Sequence, residues 1–324
     1  MLTTSALKSF QQSSSDISFK LIQQLYHFKQ VRNQLFLIWR RSFIKNRSSK
    51  NSRPRRKNRI RSQRSLKMAA AGPIADAVIA AMSTEHGVWP DNVELYEPCK
   101  DTILLTDAAS CRGVEAYLRF CGLAHEVKCR RNAEFMSPTG NVPFLRADRD
   151  LIGDFQEIVS FVEAKGFSTS ANFEMKDKAE MKAYLSLIEN SLVPSELYML
   201  WWKKDWAVRT RHHYGSQFPF PLNLVLSYRR QWKICQQLKA DGWHHKTENE
   251  VLEEFKRTCQ ALSEKLGNNK FFINDRPTEL DALVFGHLHT LLTRYLPDDS
   301  LSSVVRAHRN LGDFVMRILG EFFQ

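Results

Sequence analysis

Six cysteines and ten histidines hold most of the reactive side chains in this 324-residue sequence. Ser110 and Cys111 stand where the pattern predicts a helix to begin. A hydroxyl or thiol there is suited to nucleophilic work, because the positive end of the helix dipole favours a thiolate. Their ordinary roles are an N-cap for Ser110 and a small buried apolar side chain for Cys111. Cys99 follows the first predicted strand. Together with Cys121, Cys129, Cys235 and Cys259, these cysteines form no C-x-x-C pair and no zinc spacing. They read as free, mostly buried thiols in a reducing, cytosol-facing setting. His212-His213 and His244-His245 are adjacent pairs, and His287 and His289 are two apart. A helix presents ligands on one face at a spacing of four, so the sequence predicts no metal site and no cofactor.

A second group of residues suits binding rather than catalysis. Tyr198-Met199-Leu200-Trp201-Trp202 with Trp206 is an aromatic run that reads first as helix core. Trp and Tyr also dominate binding hot spots, which makes Trp201 and Trp202 a candidate partner surface. The Phe218-Pro219-Phe220-Pro221 segment is a candidate loop with the same role. Val142 precedes Pro143, which forces extended backbone there.

The elements that must position these residues follow from periodicity. Strands are expected over 93–97, 102–106 and 125–130, resuming at Val142-Pro143-Phe144-Leu145 and at Leu151-Ile152. Val114, Tyr117, Leu118 and Cys121 predict a helix over 110–121 stopped by Gly122. Phe155, Ile158, Val159 and Val162 predict another, closed by Gly166. After about residue 172 strands cease. Met181, Leu185, Ile188 and Leu192 form a helical stripe expected to break or kink near Pro194. Val225, Tyr228, Trp232 and Cys235 mark a second stripe, and Leu252, Phe255, Cys259, Leu262 and Leu266 a third. Thr278-Glu279-Leu280-Asp281 spells a capping box, with an apolar helix behind it that belongs in the middle of a bundle.

Charge is unevenly spread. The formal total is +12, yet residues 1–67 carry 17 Lys and Arg against one acid, Asp16, leaving the remainder at −4. The body therefore has no global pull on nucleic acid. Residues 1–67 fit three readings: a mitochondrial transit peptide, a basic address or tail around Arg53-Pro54-Arg55-Arg56-Lys57, or an extension ahead of a start at Met68. Disorder is expected there on composition, with an amphipathic helix over 17–39 as the alternative. No stretch reaches the ~18 apolar residues of a membrane span, so any membrane association is expected to be peripheral. The expected divisions are a basic extension over 1–67, an N-terminal segment over 68–88, a thioredoxin-like domain over 89–168 and an all-α domain over 172–324.

An α/β half with Val-Pro before its third strand, followed by an all-α half whose central helix opens on Thr-x-x-Asp, resembles the glutathione transferases. The fold class this implies is α+β: glutathione-transferase-like, with a thioredoxin-like N-terminal domain and an all-α C-terminal domain. It also implies that Pro143 is cis. Three stretches narrow the resemblance: Asn132 to Pro138 with Gly140 and Val142-Pro143-Phe144, Lys178 to Tyr184, and Pro277 to Leu288. Tyr214-Gly215-Ser216 adds to them. These are similar to the metaxin family, to its second type, over about residues 85–322. The type with a C-terminal membrane anchor is a poorer match to a chain ending Ile318 to Gln324.

The resemblance implies a non-enzymatic subunit on the cytosolic face of the mitochondrial outer membrane. It would serve protein import and β-barrel sorting and assembly, bound peripherally through a membrane-anchored metaxin of the first type. Structural roles fall to Pro143, Thr278 and Asp281, and a partner surface to Trp201, Trp202, Phe218 or the rim at Val142. Transferases place an acid or Gln followed by Ser at the last helix of the first half, to hold the glutathione γ-glutamyl group. Here that pair reads Asp154-Phe155. The alternative is a glutathione-dependent transferase using Ser110 or Cys111.

Overall fold

A computed structural model describes residues 88–294 and 296–323. The readings for residues 1–67, and all but Val88 of the N-terminal segment over 68–88, lie outside the described residues.

Strand β1 (Val93–Glu97) turns Val93 and Leu95 into the core and sits in the middle of a four-stranded sheet. Its neighbours are β2 (Glu126–Cys129), which runs parallel to it, and β3 (Phe144–Ala147), which runs antiparallel. Strand β4 (Asp150–Gly153) completes the order β2-β1-β3-β4. Parallel β1 and β2 need a crossover, supplied by helix α1 (Leu105–Phe120). The opposite face of the sheet is covered by short helix α2 (Ala133–Met136), with Tyr96 and Phe144 stacked at 4.7 Å. Helix α3 (Phe155–Ala164) follows β4.

The strand expected over 102–106 is absent. Thr102 and Ile103 both donate their N–H to the Cys99 carbonyl, which turns the chain so that α1 starts at Leu105. Burial of Ile103, Leu104 and Leu105 in the interior outweighs the β preference of Thr102 and Ile103.

The helical half opens with α4 (Met175–Leu187), a π turn (Ile188–Leu192), α5 (Val193–Leu197) and a second π turn (Tyr198–Trp202). Backbone angles stay helical through Pro194, correcting the expected break. The wide turns on either side of α5 accommodate the residue without an N–H. A hairpin of α6 (Lys204–Gly215) and α7 (Leu222–Ala240) comes next, then α8 (Glu248–Leu266), α9 (Glu279–Thr293), α10 (Ser300–Ala307) and α11 (Arg309–Phe322). One continuous apolar core runs from Val93 and Val114 in the α/β half to Leu288 and Ile318 in the helical half.

Helix α9 is buried nearly all round and crosses α1 at two glycines, Gly113 and Gly286. Inside the bundle His287 Nδ1 lies 3.0 Å and 3.1 Å from the two carboxylate oxygens of Glu196, and neither side chain reaches solvent.

The apolar stripe of Val225, Tyr228 and Trp232 on α7 faces outward. Tyr228 and Trp232 are 51% and 66% exposed, whereas Ser227, Ile234 and Leu238 are buried. The inner face of α7 meets polar groups of α1 and α2, so Arg230 points inward and the apolar residues point to solvent.

Candidate functional site

A narrow space lies where α1, α2 and α6 meet the turn into β3. Its upper rim is Val142, 6% exposed, ahead of a cis peptide bond to Pro143 that leads into β3. The space it borders, with Pro98, Thr102, Asp107, Glu134 and Tyr214 around it, has a volume of about 10 Å³. A single water needs roughly 10–15 Å³ measured this way, so this space holds at most about one water.

A cluster of ions lies beside it. Arg230 on α7 donates from Nη2 to both oxygens of Asp107 on α1, at 2.8 Å and 2.9 Å. Its Nη1 lies 2.6 Å from Glu134 Oε2 on α2. The Tyr214 hydroxyl of α6 donates to the same Glu134 oxygen at 2.8 Å, and the guanidinium stands 5.3 Å from the Tyr214 ring. Burial pushes the Asp107 carboxyl up, and the nearby Arg230 opposes that shift. Burial opposes the Arg230 charge in turn, yet Asp107 and Glu134 raise its pKa above the ordinary value. The bidentate fork matches guanidinium to carboxylate geometry, which is why Arg and not Lys closes this site.

The hairpin that delivers Arg230 is anchored by the second π turn. Gln231 Nε2 donates to the Trp201 carbonyl at 2.9 Å, inside that turn. Sequence reasoning missed Asp107, Glu134, Tyr214 and Arg230. Arg230 and Asp107 are 123 residues apart, and no local spacing links them.

The positions expected to hold a thiol ligand are also closed. Asp154 accepts from Asn141 Nδ2 at 3.2 Å and Thr139 Oγ1 at 3.4 Å, so its carboxylate is already engaged. A β-carbon at Gly153 would stand 2.8 Å from the Thr139 side chain. Phe155 packs against the core, with its ring centroid 6.1 Å from that of Tyr117.

Ser110 and Cys111 do not lie at a helix N-terminus, because α1 begins at Leu105. They sit in its second turn, so Ser110 is not an N-cap and Cys111 gains nothing from the dipole's end. Cys111 is 2% exposed, and burial pushes its thiol well above the usual value. A buried, protonated thiol is a poor nucleophile.

The proposed partner surface changes as well. Trp201 is fully buried, which closes its ring to a partner. Trp202 is half-buried and stacks on Tyr198 at 6.2 Å. Phe218 is half-buried between Tyr214 at 5.6 Å and Phe135 at 6.2 Å. The adjacent histidines His244 and His245 have ring centroids 3.7 Å apart with their planes tilted by 41°. Among the described residues no group of His, Cys, Asp and Glu is arranged to hold a metal.

At the head of α9, Asp281 Oδ2 accepts from the Thr278 N–H at 2.9 Å and from its hydroxyl at 2.7 Å. Its Oδ1 accepts from the Phe272 N–H at 2.9 Å, tying the preceding loop to the helix. Burial pushes Asp281 up to about 6 against the pull of the Thr278 and Phe272 hydrogen bonds.

Residues 111–231 match the family described as outer mitochondrial membrane transport complex protein, and residues 255–318 match the glutathione S-transferase C-terminal domain. The chain is 44% identical to human metaxin-2 over 253 residues, covering 78% of this chain and 96% of that protein. It is 32% identical to mouse metaxin-1, covering 65% of this chain and 68% of that protein. A glutathione transferase from Phanerochaete chrysosporium superposes with a TM-score of 0.45 at 12% identity, covering 71% of this chain and 96% of that one. No described helix is long and apolar enough to cross a membrane.

Proposed function

The chain belongs to the metaxin family, and from that premise we propose that it is a non-enzymatic subunit of the mitochondrial outer-membrane import and β-barrel sorting machinery. It sits on the cytosolic face and is held there by a membrane-anchored metaxin of the first type. Residues 89–168 and 172–324 act as the two halves of one scaffold.

The observation that carries the non-enzymatic reading is the Arg230–Asp107–Glu134 cluster, whose two acids line the space beside Val142 and leave it room for about one water. Support for the location is the family region over 111–231. The transferase alternative lacks an accessible thiol at Cys111 and an open γ-glutamyl subsite at Asp154.

The test is native purification of the tagged chain from outer membranes, paired with depletion. An anchored metaxin co-purifies, and insertion of β-barrel precursors falls on depletion. Insertion is restored equally by wild type and by Cys111→Ala or Ser110→Ala. Turnover of glutathione with a small electrophile that either substitution abolishes would overturn the reading.

A further inference from the structure

The hairpin α6–α7 is built inside out. Its polar inner face brings Arg230 to the ion cluster, and its outer face carries Phe220, Trp232 and Tyr228 at 79%, 66% and 51% exposure, with Val208, Leu222 and Val225 also exposed. The Arg211 guanidinium lies 4.7 Å from the Tyr228 ring centroid and donates to Gln231 at 2.7 Å, which ties the outer faces of both helices into one surface.

The segment is basic. Residues 203–240 hold eight Lys and Arg and a single acid, Asp205, while the rest of residues 68–324 nets −11. Lys203 and Arg230 are paired with acids, and the other six carry the excess. Lys204, Arg209 and Arg229 are exposed and make no ion pair among the described residues. Arg229 stands between Tyr228 and Trp232 in the chain, whereas Lys233 reaches back to Asn141 at 3.4 Å. A headgroup layer accepts aromatic rings and cations side by side, and the basic excess of this segment on an otherwise acidic body suits an anionic surface.

We propose that the outer face of α6–α7 lies on an anionic lipid bilayer. Phe220, Tyr228 and Trp232 enter the headgroup layer, and Lys204, Arg209 and Arg229 meet lipid phosphates. This deepens the membrane location proposed above and rests on it. It gives the chain a direct contact with the surface in addition to its anchored partner.

The test uses the purified full chain and phosphatidylcholine vesicles with brominated acyl chains, with and without phosphatidylglycerol. Tryptophan emission is expected to be quenched by the anionic vesicles. The quenched component should be missing in Trp232→Phe. It should fall at least about fivefold in R209E/R229E, since each basic residue near such a surface contributes about that factor. Urea midpoints establish that each variant folds; if R209E/R229E does not, Trp232→Phe alone decides.

Three results would overturn the proposal. The chain co-sediments with vesicles but Trp232 is not quenched, so that another basic segment does the binding. Quenching by neutral vesicles is equally strong. Or a photoprobe at position 232 in isolated outer membranes captures protein and no lipid. The vesicle system holds no partner, so failure here leaves recruitment by an anchored metaxin standing. Failed co-purification, conversely, leaves the vesicle result readable.

Discussion

Gly286 approaches Gly113 so closely that a β-carbon added at Gly286 would lie 2.7 Å from the Gly113 nitrogen and 2.9 Å from its Cα. The same atom would be 2.3 Å from the Ala109 carbonyl oxygen. All three are backbone atoms of α1, so no side chain can swing aside. Helix α1 is the crossover of the sheet and α9 is the centre of the bundle, so this contact sets the distance between the two halves. Gly286→Ala should cost about 3 kcal/mol, the upper range of overpacking penalties. Gly113→Ala should cost roughly 1 kcal/mol, because its β-carbon would meet the Ala282 carbonyl at a milder 3.3 Å. Urea denaturation of both variants checks the order; equal midpoints would mean that the helices part easily at this crossing.

The ion cluster around Arg230 makes a second prediction. Arg230→Met leaves Asp107 and Glu134 as neighbouring carboxylates without a cation, at 14% and 24% side-chain exposure. Stranding buried charge in this way should cost about 3 kcal/mol. Asp107 is already raised by burial, and losing Arg230 removes the influence that lowers it. A carboxyl raised in the folded state contributes stability below its unfolded pKa and loses it as pH rises through the folded value. Arg230→Met should therefore be most impaired at neutral and alkaline pH and regain stability in acid. Adding Asp107→Asn and Glu134→Gln should recover part of the loss at pH 7. Urea midpoints of the single and triple variants across pH measure both effects.

How far the sequence speaks depends on how local the cause is. The Thr278–Asp281 pair lies within one helical turn, and its spacing alone points to the bonds found at the head of α9. The order of elements, with the Val142-Pro143 step and the end of strands after α3, is local, and the fold class follows from it through the family resemblance. The start of α1 is not legible, because Thr102 and Ile103 look extended until the Cys99 carbonyl captures both N–H groups. Nor is the outward turn of the α7 stripe, since periodicity finds a face without saying which way it points. Only Asp107, 123 residues away, makes the Arg230 side the inner one.

Asp281 and His289 lie on one helix and pull stability in opposite directions with pH. Burial raises Asp281 to about 6. Its contribution is complete below the unfolded pKa of about 4 and is lost as pH rises through 6. His289 is lowered to about 4, by burial first and then by the charges of Arg112 and Arg294. Its folded form resists the proton, so its contribution is complete above about 6.5 and is lost as pH falls towards 4. Between pH 4 and 6.5 the two slopes oppose. His289→Gln should unmask the Asp281 slope, so that stability falls with rising pH by about 2 kcal/mol relative to wild type, smaller where solvent screens His289. Chemical denaturation at closely spaced pH values decides it; parallel curves for wild type and variant would contradict the assignment.

The thiols give a chemical map of the same interior. Cys111 and Cys259 are buried at 2% and 0% exposure, and burial lifts Cys259 to about 12 and Cys111 well above its usual range. Cys121 is raised by burial to about 11. Cys129 is exposed at the edge strand β2. Partial burial and then the Glu97 carboxylate, 3.4 Å from its sulfur, also raise it. The reactive species is the thiolate, so access and pKa together set the order of alkylation. Under native conditions at pH 8 a maleimide should label Cys129 ahead of Cys111, Cys121 and Cys259, which react only when the chain opens. Peptide mass spectrometry over a time course reads this order directly. Fast labelling of Cys111 in the folded chain would reopen the case for a thiol-dependent transferase, since it would require α1 to expose a side chain that is now sealed beneath the Ile103 turn.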